Sequence, residues 1–301
     1  MAINAQSNKL FELIDREDKL ERLATGFVFT EGPIWNATEA CLYFSDMPGD
    51  TRRRWSEADG ITVVRQPSNK CNGMTYDERN RLVVCEHSTS SVIRETGEAR
   101  EVLASHYHGK ELNSPNDVVV ARDGSIYFTD PTYGRMPGFG VERDQVLTFQ
   151  GLYRIPAGGG ELQLLADDFG QPNGLCFSPG ESQLYVNDSV AAHIRVFDRQ
   201  ADGQLKNDRI FVENVGTGDF EVGVVDGMKC DEHGNIWVTG PGGIWIFDSE
   251  GSHLGVLEVP EKNVGNLNWG GNNWSDLYIA ASTSLYRIHL RVAGNRSSYM
   301  G

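Results

Sequence analysis

The chain has 301 residues, of which 39% are hydrophobic and 34 are glycine, and its formal net charge is −15. A chain this acidic repels the phosphate backbone of nucleic acids, so no nucleic-acid partner is expected. No apolar run approaches the roughly 18 residues that a membrane span needs, so no membrane association is expected either. Frequent glycine disfavours long helices and suits strands joined by tight turns.

The N-terminal sequence and the cysteines bear on location. "MAINAQSNKL" lacks the apolar core of a signal peptide, so a cytoplasmic location is expected, or a periplasmic one if a leader has been removed. The five cysteines lie far apart without a Cys-x-x-Cys pair, which predicts small buried residues rather than disulfides or zinc ligands. The basic run at 52–54 is interpreted as a solvated loop, with contact to a substrate anion as the alternative.

The first predicted element is a short N-terminal helix or arm. Leu10, Ile14 and Leu20 have helix-like spacing between charged residues, and the following "GFVFTEG" is expected to supply a strand. We therefore divide the chain into an arm at 1–24, one domain at 25–290 and a tail at 291–301.

From here on, an internal repeat organises the chain. Six short β-rich strands end alike: "LYFSD", "LVVCE", "IYFTD", "LYVND", "IWVTG" and "LYIAA". Ten or eleven residues before each strand stands an acid or an amide, and the six residues are Glu31, Asn72, Asn116, Asn173, Asp226 and Asn266. They are separated by 41, 44, 57, 53 and 40 residues, and the longer gaps hold insertions such as 131–151. Further strand-like segments around glycine turns complete each unit.

Six units of about four strands, each roughly 40 to 50 residues long, are typical of a β-propeller. We therefore predict an all-β fold, a six-bladed β-propeller in a single domain with a short N-terminal helical arm. The innermost strand of each blade lines a central channel, so the six residues should form a ring at one channel mouth. We call this set the channel ring.

An oxygen-rich ring with two carboxylates suits a hard divalent cation, with Ca²⁺ as the first expectation. Without a cation Glu31 and Asp226 would repel each other, and at least one pKa would rise. The alternative is that Asn-Gly and Asp-Gly pairs are ordinary turns that serve folding. Glu31 before Gly32-Pro33 fits a turn poorly, which favours the metal interpretation.

Several ordered motifs carry a resemblance that runs from about residue 25 to 290: "EGPIW", "LNSPNDVVVARDGSIYFTDP", "QPNGLCFSPGESQLYVNDS" and "VDGMKCDEHGNIWV". They resemble the SMP-30/gluconolactonase/luciferin-regenerating family, and its bacterial gluconolactonase-like branch in particular. The resemblance implies a six-bladed propeller with a divalent cation, usually Ca²⁺, in the channel; Mg²⁺, Mn²⁺ or Zn²⁺ are the alternatives.

The resemblance also implies roles for individual residues. Glu31, Asn173 and Asp226 match metal ligands, Asn116 matches a ligand of the metal or the substrate, and Asp226 also matches the proposed general acid/base. Asp117 follows Asn116 and is expected to support substrate binding. Animal-type members carry Arg where this chain has Ser114, which puts recognition of sugar hydroxyls, and hence the native substrate, in doubt.

The sequence itself adds two candidate substrate contacts, His108 before the third ring position and Tyr133 after "FTDP", each with surface or packing roles as alternatives. The expected function is hydrolysis of a small-molecule sugar lactone such as gluconolactone, with Asp226 activating water or attacking directly. The alternatives are phosphotriester or fluorophosphate hydrolysis at the same cation, or a non-catalytic binding propeller. The sequence makes no prediction of oligomeric state.

Overall fold

The structure, a computed structural model, describes residues 3–295. The N-terminal segment contains strand β1 (Ile3–Ala5), one helical turn α1 (Leu10–Leu13) and strand β2 (Glu21–Thr25). The predicted N-terminal helix is therefore only one turn long. Leu10 and Leu13 of this turn pack into the core beside the last two blades. From Glu21 onward the chain forms a strand instead.

Six antiparallel sheets, five of four strands and one of five, form the blades and confirm the six-bladed β-propeller. Blades 1 and 2 consist of β3 (Thr30–Asn36), β4 (Cys41–Asp46), β5 (Thr51–Ser56), β6 (Gly60–Arg65), β7 (Cys71–Tyr76), β8 (Leu82–Glu86), β9 (Ser91–Thr96) and β10 (Ala99–Ala104). A small hairpin, β11 (His106–Tyr107) and β12 (Lys110–Glu111), leads into the third blade.

The remaining blades repeat the arrangement. Blades 3 and 4 consist of β13 (Val118–Val120), β14 (Ile126–Asp130), β15 (Gln150–Ile155), β16 (Gln163–Phe169), β17 (Pro172–Phe177), β18 (Gln183–Asp188), β19 (His193–Arg199) and β20 (Leu205–Val212). Blades 5 and 6 add β21 (Met228–Cys230), β22 (Ile236–Gly240), β23 (Gly243–Phe247), β24 (His253–Glu258), β25 (Val264–Gly270), β26 (Asp276–Ala281) and β27 (Ser284–His289).

The N-terminal segment closes the propeller at its last blades. Strand β2 pairs antiparallel with β27 and becomes the outer strand of blade 6. Strand β1 pairs with β24 and adds a fifth strand to blade 5. The ring of blades is therefore joined by pairing between residues more than 240 positions apart.

The first strand of each blade lies innermost, and these strands touch one another around the channel, with β25 contacting β3 to complete the circle. Backbone hydrogen bonds connect neighbouring blades here, such as Gly73 N to Asn116 O at 2.8 Å and Gly174 N to Asp226 O at 3.1 Å. A Cβ on Gly73 would lie 2.5 Å from Asn116 O, and one on Gly174 would lie 2.2 Å from Asp226 O. Glycine follows the ring residue in four of the six blades. At Gly73 and Gly174 the reason is that adjacent backbones touch, and Gly73 lies inside β7 rather than in a turn.

Apolar side chains fill the spaces between blades, as where Trp237 packs edge-on against Trp269 at 5.5 Å between ring centroids. All five cysteines are buried and free, as predicted. The interpretation of 52–54 as a solvated loop is wrong, since these residues belong to β5. Arg52 is only 5% exposed and pairs with Glu95 at 2.7 Å. Among residues 3–295, no helix has the length and apolar character needed to cross a bilayer.

Candidate functional site

The channel-ring residues stand at the beginnings of the innermost strands. Glu31, Asn72 and Asn173 are the second residues of their strands and Asn266 the third, whereas Asn116 and Asp226 precede theirs by two. In four blades the sheet register is interrupted beside the ring residue. Such interruptions release a strand from its ladder and redirect its side chains, which lets the ring residues face the channel and the neighbouring blade.

Five ring residues line a cavity of about 440 Å³ at one channel mouth: Glu31, Asn72, Asn116, Asn173 and Asp226. Asn266 lies deeper. The other cavity-lining residues are Phe29, Met47, His87, Tyr133, Met136, Phe139, Phe220, Glu221, Val224, Lys262, Asn263 and Val264. At the opposite end the free space is only about 50 Å³, beside Gly294 and Asn295. A ligand therefore has room at the ring end of the channel.

The two ring acids lie close enough to perturb each other. Glu31 is 3% exposed, and its Oε2 accepts a hydrogen bond from Gly32 N at 3.0 Å. Burial raises the pKa of Glu31, and the charge of Asp117 raises it further. Burial also raises the pKa of Asp226 well above its ordinary value, followed by the charges of Glu31 and Asp117. A positive charge placed between these carboxylates would relieve both effects.

A second layer of polar side chains lies beneath the ring. Asp117 is 2% exposed and faces the Lys229 ammonium at 3.5 Å. The Asn266 amide joins them, donating to Asp117 Oδ2 and accepting from Lys229 Nζ, each at 3.4 Å. With Glu31, Asp226 and Asp117 ionised and Lys229 protonated, this region carries a formal charge of −2, which a divalent cation would balance. Lys229 was not predicted, although it follows Asp226 by only three residues.

Two ring amides present carbonyl oxygens that no described protein group satisfies. Asn173 Nδ2 donates to Ser189 Oγ at 3.1 Å, and among residues 3–295 its buried Oδ1 has no partner. Asn72 Oδ1 is buried and unpaired in the same described range. Buried polar atoms nearly always have partners, so these oxygens fit a cation or a donor on a ligand. The described residues contain no cluster of three or more His, Cys, Asp or Glu that could hold a metal, so any cation here would rely on amide oxygens.

His87 is a second site residue that the sequence did not reveal. Its Nε2 lies 3.2 Å from Asn72 Nδ2, and its Nδ1 lies 3.0 Å from the carbonyl oxygen of Phe139. A carbonyl only accepts hydrogen bonds, so Nδ1 carries the hydrogen and Nε2 accepts from Asn72. Burial lowers the pKa of His87 to about 4, which keeps the ring neutral. His87 thereby orients the Asn72 amide with its oxygen free.

The remaining predicted residues have different locations. Tyr133 lines the cavity and packs edge-on against Phe220 at 5.8 Å. His108 is exposed on the β11–β12 turn and is not among the cavity-lining residues. Ser114 is buried, donating to Pro131 O at 2.5 Å and accepting from Gly134 N at 2.9 Å. That position therefore anchors the 131–149 insertion and does not line the cavity.

The protein is thus a six-bladed propeller with two acids and unpaired amide oxygens at one mouth of its channel. Its sequence identifies the family. Residues 29–283 match the family model described as SMP-30/Gluconolactonase/LRE-like region, and the chain belongs to this family. A gluconolactonase of Zymomonas mobilis is 29% identical over 309 residues, covering 96% of this chain and 86% of that protein.

Solved structures agree with this assignment. The structure of a gluconolactonase from Xanthomonas campestris has a TM-score of 0.88 and 32% identity, covering 96% of this chain and 95% of that one. A regucalcin from Agrobacterium tumefaciens, described as a calcium-binding protein, has a TM-score of 0.74 at 18% identity, covering 93% and 98%. At 18% identity, the similarity to the regucalcin structure shows a shared fold.

Proposed function

We propose that this protein is a metal-dependent lactonase that opens the ester bond of a cyclic lactone with water. The observation that carries the proposal is the pairing of Glu31 and Asp226 with unsatisfied amide oxygen at one channel mouth. Relatives named as gluconolactonases support the reaction class. Gluconolactone is therefore the first substrate to test.

Four ring residues would hold the cation: Glu31, Asn116, Asn173 and Asp226. Carboxylate and amide oxygens are hard ligands, and Ca²⁺ accepts six to eight of them in flexible geometry. The description of the regucalcin structure makes Ca²⁺ the first ion to test, with Mg²⁺, Mn²⁺ and Zn²⁺ as alternatives. When bound, such an ion polarises a lactone carbonyl and stabilises the oxyanion that develops on it.

The protein's own groups would position the substrate and move the proton. Asp226 is partly exposed to the cavity and either accepts a proton from the attacking water or attacks the carbonyl itself. Asn116 and Tyr133 line the space where the lactone would lie, and Asp117 with Lys229 supports the ring from below. His108, exposed on its hairpin, takes no part in this proposal.

The test is a substrate panel combined with metal removal. Purified protein is assayed with lactones and phosphotriesters, before and after EDTA treatment, and the bound metal is quantified by elemental analysis. We expect lactone hydrolysis that EDTA abolishes and a stoichiometric divalent cation restores. Hydrolysis of phosphotriesters alone would support the alternative hydrolase, and the absence of any divalent cation that binds would refute metal dependence.

A labelling experiment separates the two roles of Asp226. Direct attack by Asp226 breaks the lactone C–O bond and forms an anhydride between Asp226 and the substrate acyl group. In a single turnover in ¹⁸O-water, water that opens this anhydride at the Asp226 carbonyl carbon leaves the product unlabelled and places ¹⁸O in Asp226. Water attack places ¹⁸O in the product at once. Mass spectrometry of the peptide containing Asp226 is the decisive measurement, because ¹⁸O in that peptide after one turnover requires direct attack.

A further inference from the structure

The cavity above the channel ring has an apolar wall, which we define as Phe29, Met47, Met136, Phe139, Phe220 and Val224. Three of these large side chains are unusually exposed for their type: Met136 at 47%, Phe139 at 40% and Phe220 at 50%. Grouped apolar exposure of this kind marks a surface that binds something. Here it is continuous with the proposed reaction site.

The wall is firmly attached to the propeller. Residues 131–149 provide Met136 and Phe139, and buried Arg135 anchors this insertion by donating to Leu112 O at 2.6 Å and Asn113 O at 2.9 Å. His87 binds the Phe139 carbonyl, and the Phe139 ring meets Phe29 edge-on at 5.8 Å. The side of the wall that Met136 and Phe139 form is therefore held at the channel ring.

Apart from the ring acids, the charged residues that line the cavity are paired with each other. Lys262 and Glu221 pair with each other at 2.8 Å near the cavity rim. His87 uses both ring nitrogens, one toward Asn72 and one toward Phe139. Substrate hydroxyl groups near the ring can donate to Asn72 Oδ1 and Asn173 Oδ1. A hydroxyl that lies against the six wall side chains meets only rings, thioethers and aliphatic carbon, so it loses its hydrogen bonds and binding is weakened.

We propose that the apolar wall is a subsite for an alkyl or aryl substituent, so that lactones carrying such a group are better substrates than polyhydroxylated sugar lactones. The proposal rests on the lactonase function proposed above. The lactone ester would lie at the channel ring and the substituent against the wall. A volume of about 440 Å³ is within the range of pockets that enclose drug-sized ligands, which leaves space beyond the lactone ring.

The test compares kcat/KM for δ-gluconolactone with that for an alkyl-substituted δ-lactone and an aryl-fused δ-lactone, each corrected for spontaneous hydrolysis. We expect the apolar substrates to be favoured by about tenfold or more. Phe139→Ser should lower the ratio of kcat/KM for the apolar lactones to kcat/KM for gluconolactone by about tenfold. Val146→Ser is the matched control, because Val146 is 45% exposed in the same insertion and does not line the cavity.

The outcomes separate the two proposals. Hydrolysis of gluconolactone with no preference for apolar lactones, or equal losses on both substrates in Phe139→Ser, would overturn the subsite and leave the lactonase function intact. Hydrolysis of no lactone would overturn the proposed function itself. A non-hydrolysed alkyl δ-lactam gives a binding readout, and its inhibition constant should rise about tenfold in Phe139→Ser and stay unchanged in Val146→Ser.

Discussion

His87 should set a limit on the acid stability of this protein. The imidazole is completely buried between Asn72 and the Phe139 carbonyl, and burial lowers its pKa from 6.5 to about 4. In the unfolded chain the ring takes up a proton near pH 6.5, whereas in the folded protein it stays neutral until about pH 4. Folding stability linked to this group is therefore complete above pH 6.5 and is lost as the pH falls toward 4.

The size of the effect follows from the two pKa values. Between pH 7.5 and 4.5, proton uptake by His87 in the unfolded state should lower the free energy of unfolding by about 2.5 kcal/mol. In His87→Gln this contribution is absent, while the other titrating groups are shared by both proteins. We expect urea denaturation in EDTA to show that wild type loses about 2.5 kcal/mol more than the variant over this range.

His108→Gln is the matched control, because it removes an exposed histidine from a hairpin turn. Its pH dependence should run parallel to that of wild type. Equal losses of stability in wild type and His87→Gln would show that the folded His87 takes up its proton at the same pH as in the unfolded chain, and the argument that burial lowers its pKa would then be refuted.

Three further predictions concern the ring and the cation. Ca²⁺ added to EDTA-treated protein at about 100 times its Kd should raise the free energy of unfolding by about 2.7 kcal/mol, and unchanged denaturation curves would contradict a site in the folded state. Asp226→Asn should lower kcat by about 10²–10⁴-fold while calorimetry still detects metal binding; full turnover with metal bound would exclude Asp226 as base or nucleophile. Gly174→Ala should destabilise the protein by about 1–3 kcal/mol, because the added Cβ would lie 2.2 Å from Asp226 O. Gly170→Ala is the control and should cost less, because its nearest contact would be 3.3 Å. Similar denaturation midpoints for the two variants would argue against the close contact between blades.

Much of the fold was readable because the repeat is regular. Six β-rich strands, each preceded by an acid or amide, predicted six blades, and five of the six ring residues do line one cavity. The sequence could not decide whether Asn-Gly and Asp-Gly marked turns or ring positions. The structure explains the glycines by contact between blades, as at Gly73 and Gly174, and that contact depends on residues 43 and 52 positions away.

The site residues that the sequence did not reveal have their contacts with segments that are distant along the chain. Nothing in "CEHS" indicates that His87 meets the carbonyl of residue 139, and nothing near Lys229 indicates that it faces Asp117. The arginines at 52–54 looked solvated because charge usually means exposure. The partners of Arg52 and Arg53 are Glu95 in the next blade and Asp46 on the adjacent strand.

The channel ring and the apolar wall come from different parts of the repeat. The channel ring comes from equivalent positions in all six blades, so its oxygen-rich character follows from the symmetry of the fold. The apolar wall comes largely from segments that break the repeat, since Met136 and Phe139 lie in the 131–149 insertion and Phe220 and Val224 lie between β20 and β21. These two segments lengthen the third and fourth intervals between ring residues to 57 and 53. An insertion can change without disturbing the inner strands, so substrate preference can diverge while the proposed cation chemistry at Glu31 and Asp226 stays the same.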